Sequence, residues 1–260
     1  GEAPKGYEFL DIWPMKFMQT VSGPAEEVQQ LILDGIEITF DLNKITKEDI
    51  DNLRKIKNNP HDDVIGFPVP NNWKKIPIDF RNNAYEEIND PEVDNLKIYF
   101  LLRQILPIDR VLPIRVFYPL EYSEKMNPET FKLALGGKVE KRNGINIYTS
   151  PLFLRDVSRL FLEVVRDNIE ICIIAAPKSK REVLEWSAEV IDPLELEDTF
   201  VAYMIANKSK EVGVGYGSKQ WEGMLRKRFR KYLERITLFV TSNQKLSLET
   251  VVEDNQIKVK

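Results

Sequence analysis

Residues 138–148 read Lys-Val-Glu-Lys-Arg-Asn-Gly-Ile-Asn-Ile-Tyr and carry the strongest β-hairpin pattern in the chain. Asn143-Gly144 can adopt the positive φ angles of a type I′ turn, and alternating residues flank it on both sides. Two other stretches predict strands. Residues 36–41 alternate as a half-buried strand does, and 169–176 form the apolar run expected of a buried central strand.

Two more strand regions are predicted, and each contains proline or turn-forming residues that bear on its position. Residues 110–118 predict a strand, and Pro113 places it at a sheet edge because proline cannot donate a ladder hydrogen bond. The tail over 246–260 predicts either two short polar strands around Asp254-Asn255 or a partly ordered extension.

Proline placement indicates where helices begin. Five of the fifteen prolines follow a residue that caps helices well, and the missing N–H of proline costs nothing in the first helical turn. An amphipathic or apolar-periodic run follows each of them. These sites predict helices near 24–34, 91–106, 128–135, 151–166 and 193–206, and other segments predict helices over 46–56, 180–190 and 218–236.

These elements predict an α+β fold that is helix-rich, with a small mixed sheet and at least one β-hairpin over 138–148. Proline and asparagine cluster between 58 and 90 without clear periodicity, which predicts a linker or a long loop. The predicted organisation is an N-terminal α/β segment (1–57), the linker or loop (58–90), a main α+β domain with a basic C-terminal helix (91–241) and a polar β tail (242–260). The alternative is one continuous domain.

Composition excludes several kinds of site. One cysteine, Cys172, and one histidine, His61, leave no intramolecular disulfide, zinc finger or histidine-dependent metal cluster. Cys172 lies in an apolar run, which favours a buried and inert thiol. That run, 171–177, is too short to cross a bilayer, and the first residues show no apolar signal segment. We expect a cytoplasmic, intracellular protein with no metal, no cofactor and no membrane contact.

Positive charge is concentrated between residues 208 and 235. This stretch holds nine Lys/Arg against three Glu, whereas the whole chain has a net charge of −4. Helical periodicity places apolar side chains on one stripe and the cations on the opposite face. A second basic segment follows the predicted central strand. The predicted nucleic-acid-binding residues are Lys219, Arg226, Lys227, Arg230, Lys231, Arg235, Lys178, Lys180 and Arg181.

A glycine-rich turn precedes the basic helix. Gly213, Gly215 and Gly217 would let the backbone approach a ligand closely, and Ser218 could cap the helix. The N-terminus of a helix favours a phosphate, so these four residues are the predicted phosphate-binding set. Their spacing matches neither a Walker A loop nor a dinucleotide-binding fingerprint.

Three functions remain open from the residues alone. The leading hypothesis is a non-sequence-specific nucleic-acid-binding protein that uses its basic amphipathic helix on DNA or RNA. The alternative is a structural or adaptor subunit whose basic helix binds an acidic protein partner or self-associates into a homo-oligomer. The third is a phosphate-ligand-binding enzyme that uses the turn over 213–219. The lack of a catalytic signature favours a binding or assembly component over an enzyme.

Overall fold

The computed structural model describes residues 1–57, 62–176, 183–208 and 219–260. The helices are α1 (Ala25–Asp34), α2 (Lys47–Lys57), α3 (Arg159–Val165), α4 (Pro193–Lys208) and α5 (Lys219–Leu233). The strands are β1 (Tyr7–Trp13), β2 (Val64–Pro68), β3 (Lys75–Ile78), β4 (Ala84–Glu87), β5 (Lys97–Leu102), β6 (Ile105–Pro107), β7 (Leu112–Phe117), β8 (Lys132–Leu133), β9 (Val139–Arg142), β10 (Ile145–Tyr148), β11 (Phe153–Arg155), β12 (Ile169–Ile174), β13 (Glu185–Val190), β14 (Thr250–Glu253) and β15 (Gln256–Val259).

The prediction of a helix-rich fold with one small mixed sheet is wrong. Within the described residues, fifteen strands form five sheets beside five α-helices, so the fold is mixed α+β and strand-rich. The predictions of α1, α2, α4 and α5 are confirmed. The helices predicted near 91–106, 128–135 and 180–190 are wrong, since strands occupy the described parts of all three.

The false helix over 91–106 follows from a cap that starts only a single turn. Asp90 accepts a hydrogen bond from the Glu92 N–H at 2.9 Å, as an N-cap does, but the turn over Pro91–Asn95 is 3-10 and β5 follows directly. Its sequence, Lys-Ile-Tyr-Phe-Leu-Leu, is rich in the apolar and aromatic residues that suit a buried strand. In the region predicted as a helix over 151–166, β11 comes first, and α3 begins only after Ser158, which caps the Phe161 N–H at 3.2 Å.

The structure separates into two compact units. Unit 1 comprises Gly1–Arg103 and Lys208–Met224. Its antiparallel sheet has the order β1-β5-β2, and β3 and β4 form a hairpin. The stretch over 58–90, predicted as a linker or long loop, contains β2, β3 and β4 in its described part. Ile76 and Ile78 from this stretch are buried in the unit 1 core.

Unit 2 comprises Gln104–Asn207 and Leu225–Lys260. Its main sheet has the order β13-β12-β7-β10-β9, and its neighbours pair antiparallel except for β12 and β7. The predicted edge position of the strand with Pro113 is therefore wrong. Pro113 lies opposite Ile147, at one of the two paired positions that β7 and β10 share.

The predicted hairpin over 138–148 forms as β9 and β10, with Asn143 at φ 50° and Gly144 at φ 83°. The tail prediction of two short strands is also confirmed, since β14 and β15 pair around Asp254 and Asn255, both at positive φ. None of the described helices is long and apolar enough to cross a bilayer.

Two glycines provide a matched test of the hairpin turn. We expect Gly144→Ala to lower the free energy of unfolding by about 1–2 kcal/mol, because alanine is strained at this positive φ. Gly223→Ala, within α5, should raise it by up to about 1 kcal/mol, since, apart from its chain neighbours and the backbone of its own helix, no described atom lies within 4 Å of the added Cβ. Urea unfolding of both variants measures the difference. Equal effects at the two sites would contradict the turn assignment.

Candidate functional site

Helix α5 carries most of the residues that the sequence predicts for nucleic-acid binding. Five of them, Lys219, Arg226, Lys227, Arg230 and Lys231, lie on α5, and Arg235 lies in the turn that follows it. Other predicted site residues, together with His61, fall outside the described residues, so their predictions stay untested: Lys178, Lys180, Arg181, Gly213, Gly215, Gly217 and Ser218.

The apolar side of α5 is buried, as its periodicity predicts. In unit 1, the Trp221 ring lies 5.1 Å from the Trp13 ring and 6.1 Å from the Tyr99 ring, centroid to centroid. In unit 2, Phe229 and Tyr232 each lie 5.2 Å from the Phe161 ring. These anchors determine which side chains of α5 face solvent.

Some of the α5 cations that were predicted to contact a ligand instead contact a buried carboxylate, that of Glu197. Arg230 donates two hydrogen bonds to Glu197 of α4, from Nε to Oε2 at 2.7 Å and from Nη2 to Oε1 at 2.9 Å. Arg226 donates from Nη1 to the same carboxylate at 3.1 Å and to Asp198 Oδ1 at 2.6 Å. The Glu197 side chain is only 4% exposed. The cluster therefore holds two cations and two carboxylates, and its net charge is zero.

The charge of Glu197 is stabilised by this arrangement. The hydrogen bond from Arg230 holds the pKa of the Glu197 carboxyl below its usual value, against the opposing effect of burial, and Arg226 adds to the lowering. Because the folded-state pKa is depressed, this group contributes stability above its unfolded pKa that is lost as the pH falls through the folded value. Arg226, Arg230, Glu197 and Asp198 thus form a structural ion cluster between α4 and α5.

Sequence reasoning missed the role of Glu197, although a signal for it was present. Glu197, Phe200 and Val201 are all buried, which is the i, i+3, i+4 spacing of one helix face. A glutamate on the apolar stripe of a helix requires a cationic or hydrogen-bonding partner, because an unpaired buried charge is costly. The excess of arginine on α5 could have suggested that partner.

The remaining cations form a smaller positive surface than the sequence predicts. Lys219 and Lys227 are exposed, and the Arg230 side chain stays 58% exposed beside its carboxylate partner. Lys231 and Arg235 are only partly exposed. The outer face of α5 is therefore basic, but much of the arginine charge is balanced within unit 2.

Helix α1 in unit 1 differs from α5 in both charge and burial. None of its residues is buried, and Ile32 and Leu33 are 76% and 74% exposed. With Val21 and Val28 they border an open depression, and we call these four residues the α1 patch. The helix sequence, Ala-Glu-Glu-Val-Gln-Gln-Leu-Ile-Leu-Asp, contains three acidic residues and no lysine or arginine. The α1 patch is thus an apolar surface in acidic surroundings.

The described residues contain neither an exposed thiol nor a metal-binding cluster. Cys172 is buried at 3% exposure, and burial raises the pKa of its thiol, which disfavours the reactive thiolate. No group of three or more His, Cys, Asp or Glu in the described ranges is placed to hold a metal ion. Comparisons of the chain with protein-family models, curated proteins and solved structures found no match.

The ion cluster makes a testable prediction about stability. We expect Glu197→Gln to lower the urea midpoint of unfolding at neutral pH, because Arg226 and Arg230 lose their buried counter-charge. The difference from the wild type should narrow as the pH falls below 4.5, the ordinary pKa of glutamate, where the wild type loses the same contribution. Glu234→Gln, at an exposed carboxylate in the turn after α5, is the control. A wild-type-like midpoint for Glu197→Gln would overturn this assignment.

Proposed function

We propose that this protein is a structural or adaptor subunit that self-associates, with the α1 patch as one of its contact surfaces. The observation that carries the proposal is the exposure of Ile32 and Leu33 on a helix that has no fully buried residue, although its Leu31 packs against the unit 1 core. Isolated helices shorter than about 12–15 residues are marginal in water and gain stability by packing an apolar face. A ten-residue helix such as α1 would gain that packing from a second molecule.

The distribution of charge supports a second copy of the chain as the partner. Unit 1 contains 15 Lys/Arg and 21 Asp/Glu, whereas unit 2 contains 22 Lys/Arg and 20 Asp/Glu. The acidic unit of one copy and the basic unit of another therefore attract, and complementary charge favours the correct encounter. Such a contact joins different surfaces of the two copies, so it can close into a ring or extend as a chain.

The outer face of α5 is the basic surface that fits this contact. Lys227 is exposed and lies in unit 2, on the side of α5 opposite to its buried aromatic residues. In this proposal the aromatic side and the Glu197 cluster hold α5 in place, and the outer lysines contact the acidic surroundings of the α1 patch in the next copy.

Sedimentation velocity over a protein dilution series tests self-association. We expect the wild-type mass to rise with concentration, and Ile32→Ser/Leu33→Ser to remain monomeric because the apolar contact is removed. Lys227→Glu should weaken the association most at low salt, where charge attraction is least screened. Ile56→Ser is the control, since Ile56 is 78% exposed on α2 of the same unit. A wild type that stays monomeric across the series would refute the proposal.

Nucleic-acid binding is the second candidate function, and the exposure of Lys219 and Lys227 favours it. Lysines on one outer helix face can neutralise phosphates without specifying a sequence. Because Arg226 and Arg230 already contact carboxylates, the lysines are expected to carry most of such binding.

Fluorescence anisotropy with labelled DNA and RNA in a salt series tests this second function. We expect the logarithm of the affinity to fall linearly with the logarithm of salt concentration, by about 0.9 per phosphate neutralised on duplex DNA. Lys219→Glu/Lys227→Glu should weaken binding to all sequences about equally, whereas Lys125→Glu, at an exposed lysine outside α5, should not. Affinity that does not change with salt would exclude this function.

A further inference from the structure

Unit 1 contains a cavity beside β1 that neither proposed function uses. Its volume is about 710 Å³, which lies within the roughly 300–1,000 Å³ typical of small-molecule sites. Twelve of its sixteen lining residues are apolar, and they come from β1, the segments on either side of α1, and the unit 1 core. All of them belong to one unit, so the cavity is complete within it.

A β-bulge in β1 builds one wall of the cavity. Phe9 pairs with Phe100 and Ile12 with Ile98, and the register shifts between Phe9 and Asp11. Phe100 and Ile98 are two positions apart and share a face of β5, so Phe9 and Ile12 share the corresponding face of β1. Without the bulge, residues three apart would point to opposite faces. The bulge thus directs two large apolar side chains to the cavity, a placement that bulges often serve near functional sites.

The segment over 36–40 forms a second wall. Ile36, Ile38 and Phe40 line the cavity and are half-buried, while Glu37 and Thr39 between them are exposed. This alternation predicted a strand, but the prediction is wrong, because 36–40 form no β-bridge in the described structure. The alternation instead points every second side chain toward the cavity.

The floor of the cavity belongs to the core. Of its three charged lining residues, Asp11 is half-buried and the other two are exposed. Ile76, Ile88 and Leu96 are buried members of the unit 1 core and also line the cavity. Lys16 and Glu37 also line it but are themselves exposed. The interior is therefore suited to hydrocarbon, and the opening is suited to a polar group.

The Gln19 side chain, which also lines the cavity, is held by protein partners. Its amide oxygen accepts a hydrogen bond from the Asn89 N–H at 3.0 Å, and its Nε2 donates to the Glu87 carbonyl at 3.3 Å. These bonds tie the segment after β1 to the end of β4 and to the segment that follows β4, so hydrogen bonds within unit 1 hold this side of the cavity.

We propose that this cavity binds the hydrocarbon part of a small amphipathic molecule, with the polar end of that molecule at the rim beside Lys16 and Glu37. Phe9, Ile12 and Ile38 are only half-buried, and a hydrocarbon guest would remove their remaining apolar surface from water. The guest is expected to be an alkyl chain or a compound of similar size, as the volume and the apolar walls together require.

Titration with the fluorescent probe N-phenyl-1-naphthylamine tests the proposal. We expect saturable binding of one probe per chain and displacement of the probe by dodecanol. Ile38→Trp should weaken probe binding at least about tenfold by filling the cavity, and Ile12→Trp should do the same from the opposite wall. Ile56→Trp, which adds the same side chain at an exposed position of α2, should bind as the wild type does.

Two outcomes would overturn the proposal. One is the lack of saturable probe binding, and the other is wild-type affinity in both filled variants at an unchanged melting temperature. If the tryptophan variants do not fold, Ile38→Phe provides a milder filling with the same expected direction. The variant Ile32→Ser/Leu33→Ser separates this proposal from self-association, since it removes the α1 patch but should retain probe binding.

Discussion

The burial of one aromatic side of α5 is the constraint on which the candidate surface depends. Trp221 packs on Trp13 and Tyr99 in unit 1, and Phe229 and Tyr232 pack on Phe161 in unit 2. Each large aromatic side chain removes about 150–250 Å² of surface from water, which is strongly favourable, whereas the attraction within a buried ion pair is largely offset by the cost of desolvating its charges. The rings, and not the charges, therefore set the rotation of the helix about its axis. The positions of its cations are a consequence of that rotation.

Once α5 is oriented, its arginines and lysines have different surroundings. Arg226 and Arg230 meet Glu197, a carboxylate that α4 places on its own apolar stripe and that needs cationic partners to stay charged there. Lys227 remains at the surface. An excess of positive charge in a stretch of sequence is thus not the same as an excess of positive charge on a surface. The distinction favours a structural role for the arginines and leaves ligand contacts to the lysines.

Local signals in the sequence predicted those elements that depend on local chemistry. The Asn143-Gly144 turn forms because two adjacent residues tolerate positive φ, and this property needs no distant partner. A predicted helix cap does form at Asn127, since its amide oxygen accepts hydrogen bonds from the N–H groups of Glu129 and Thr130 at 3.0 Å. A cap satisfies the first donors of a helix but does not sustain it. The residues after the cap decide whether a helix continues, and in this case β8 follows.

Strand pairing, ion pairing and the cavity could not be predicted, because each depends on residues far apart in the chain. Alternation over 36–40 correctly indicated that every second side chain faces an apolar environment, but it did not show whether another strand would pair with that segment. The basic face of α5 is a second example. Its helical periodicity predicted on which side of the helix the cations lie, but not that the Glu197 carboxylate would contact them. The cavity in unit 1 combines a bulge in β1 with an unpaired segment, and both features arise only when distant segments pack together. Sites built by such packing have to be read from the structure.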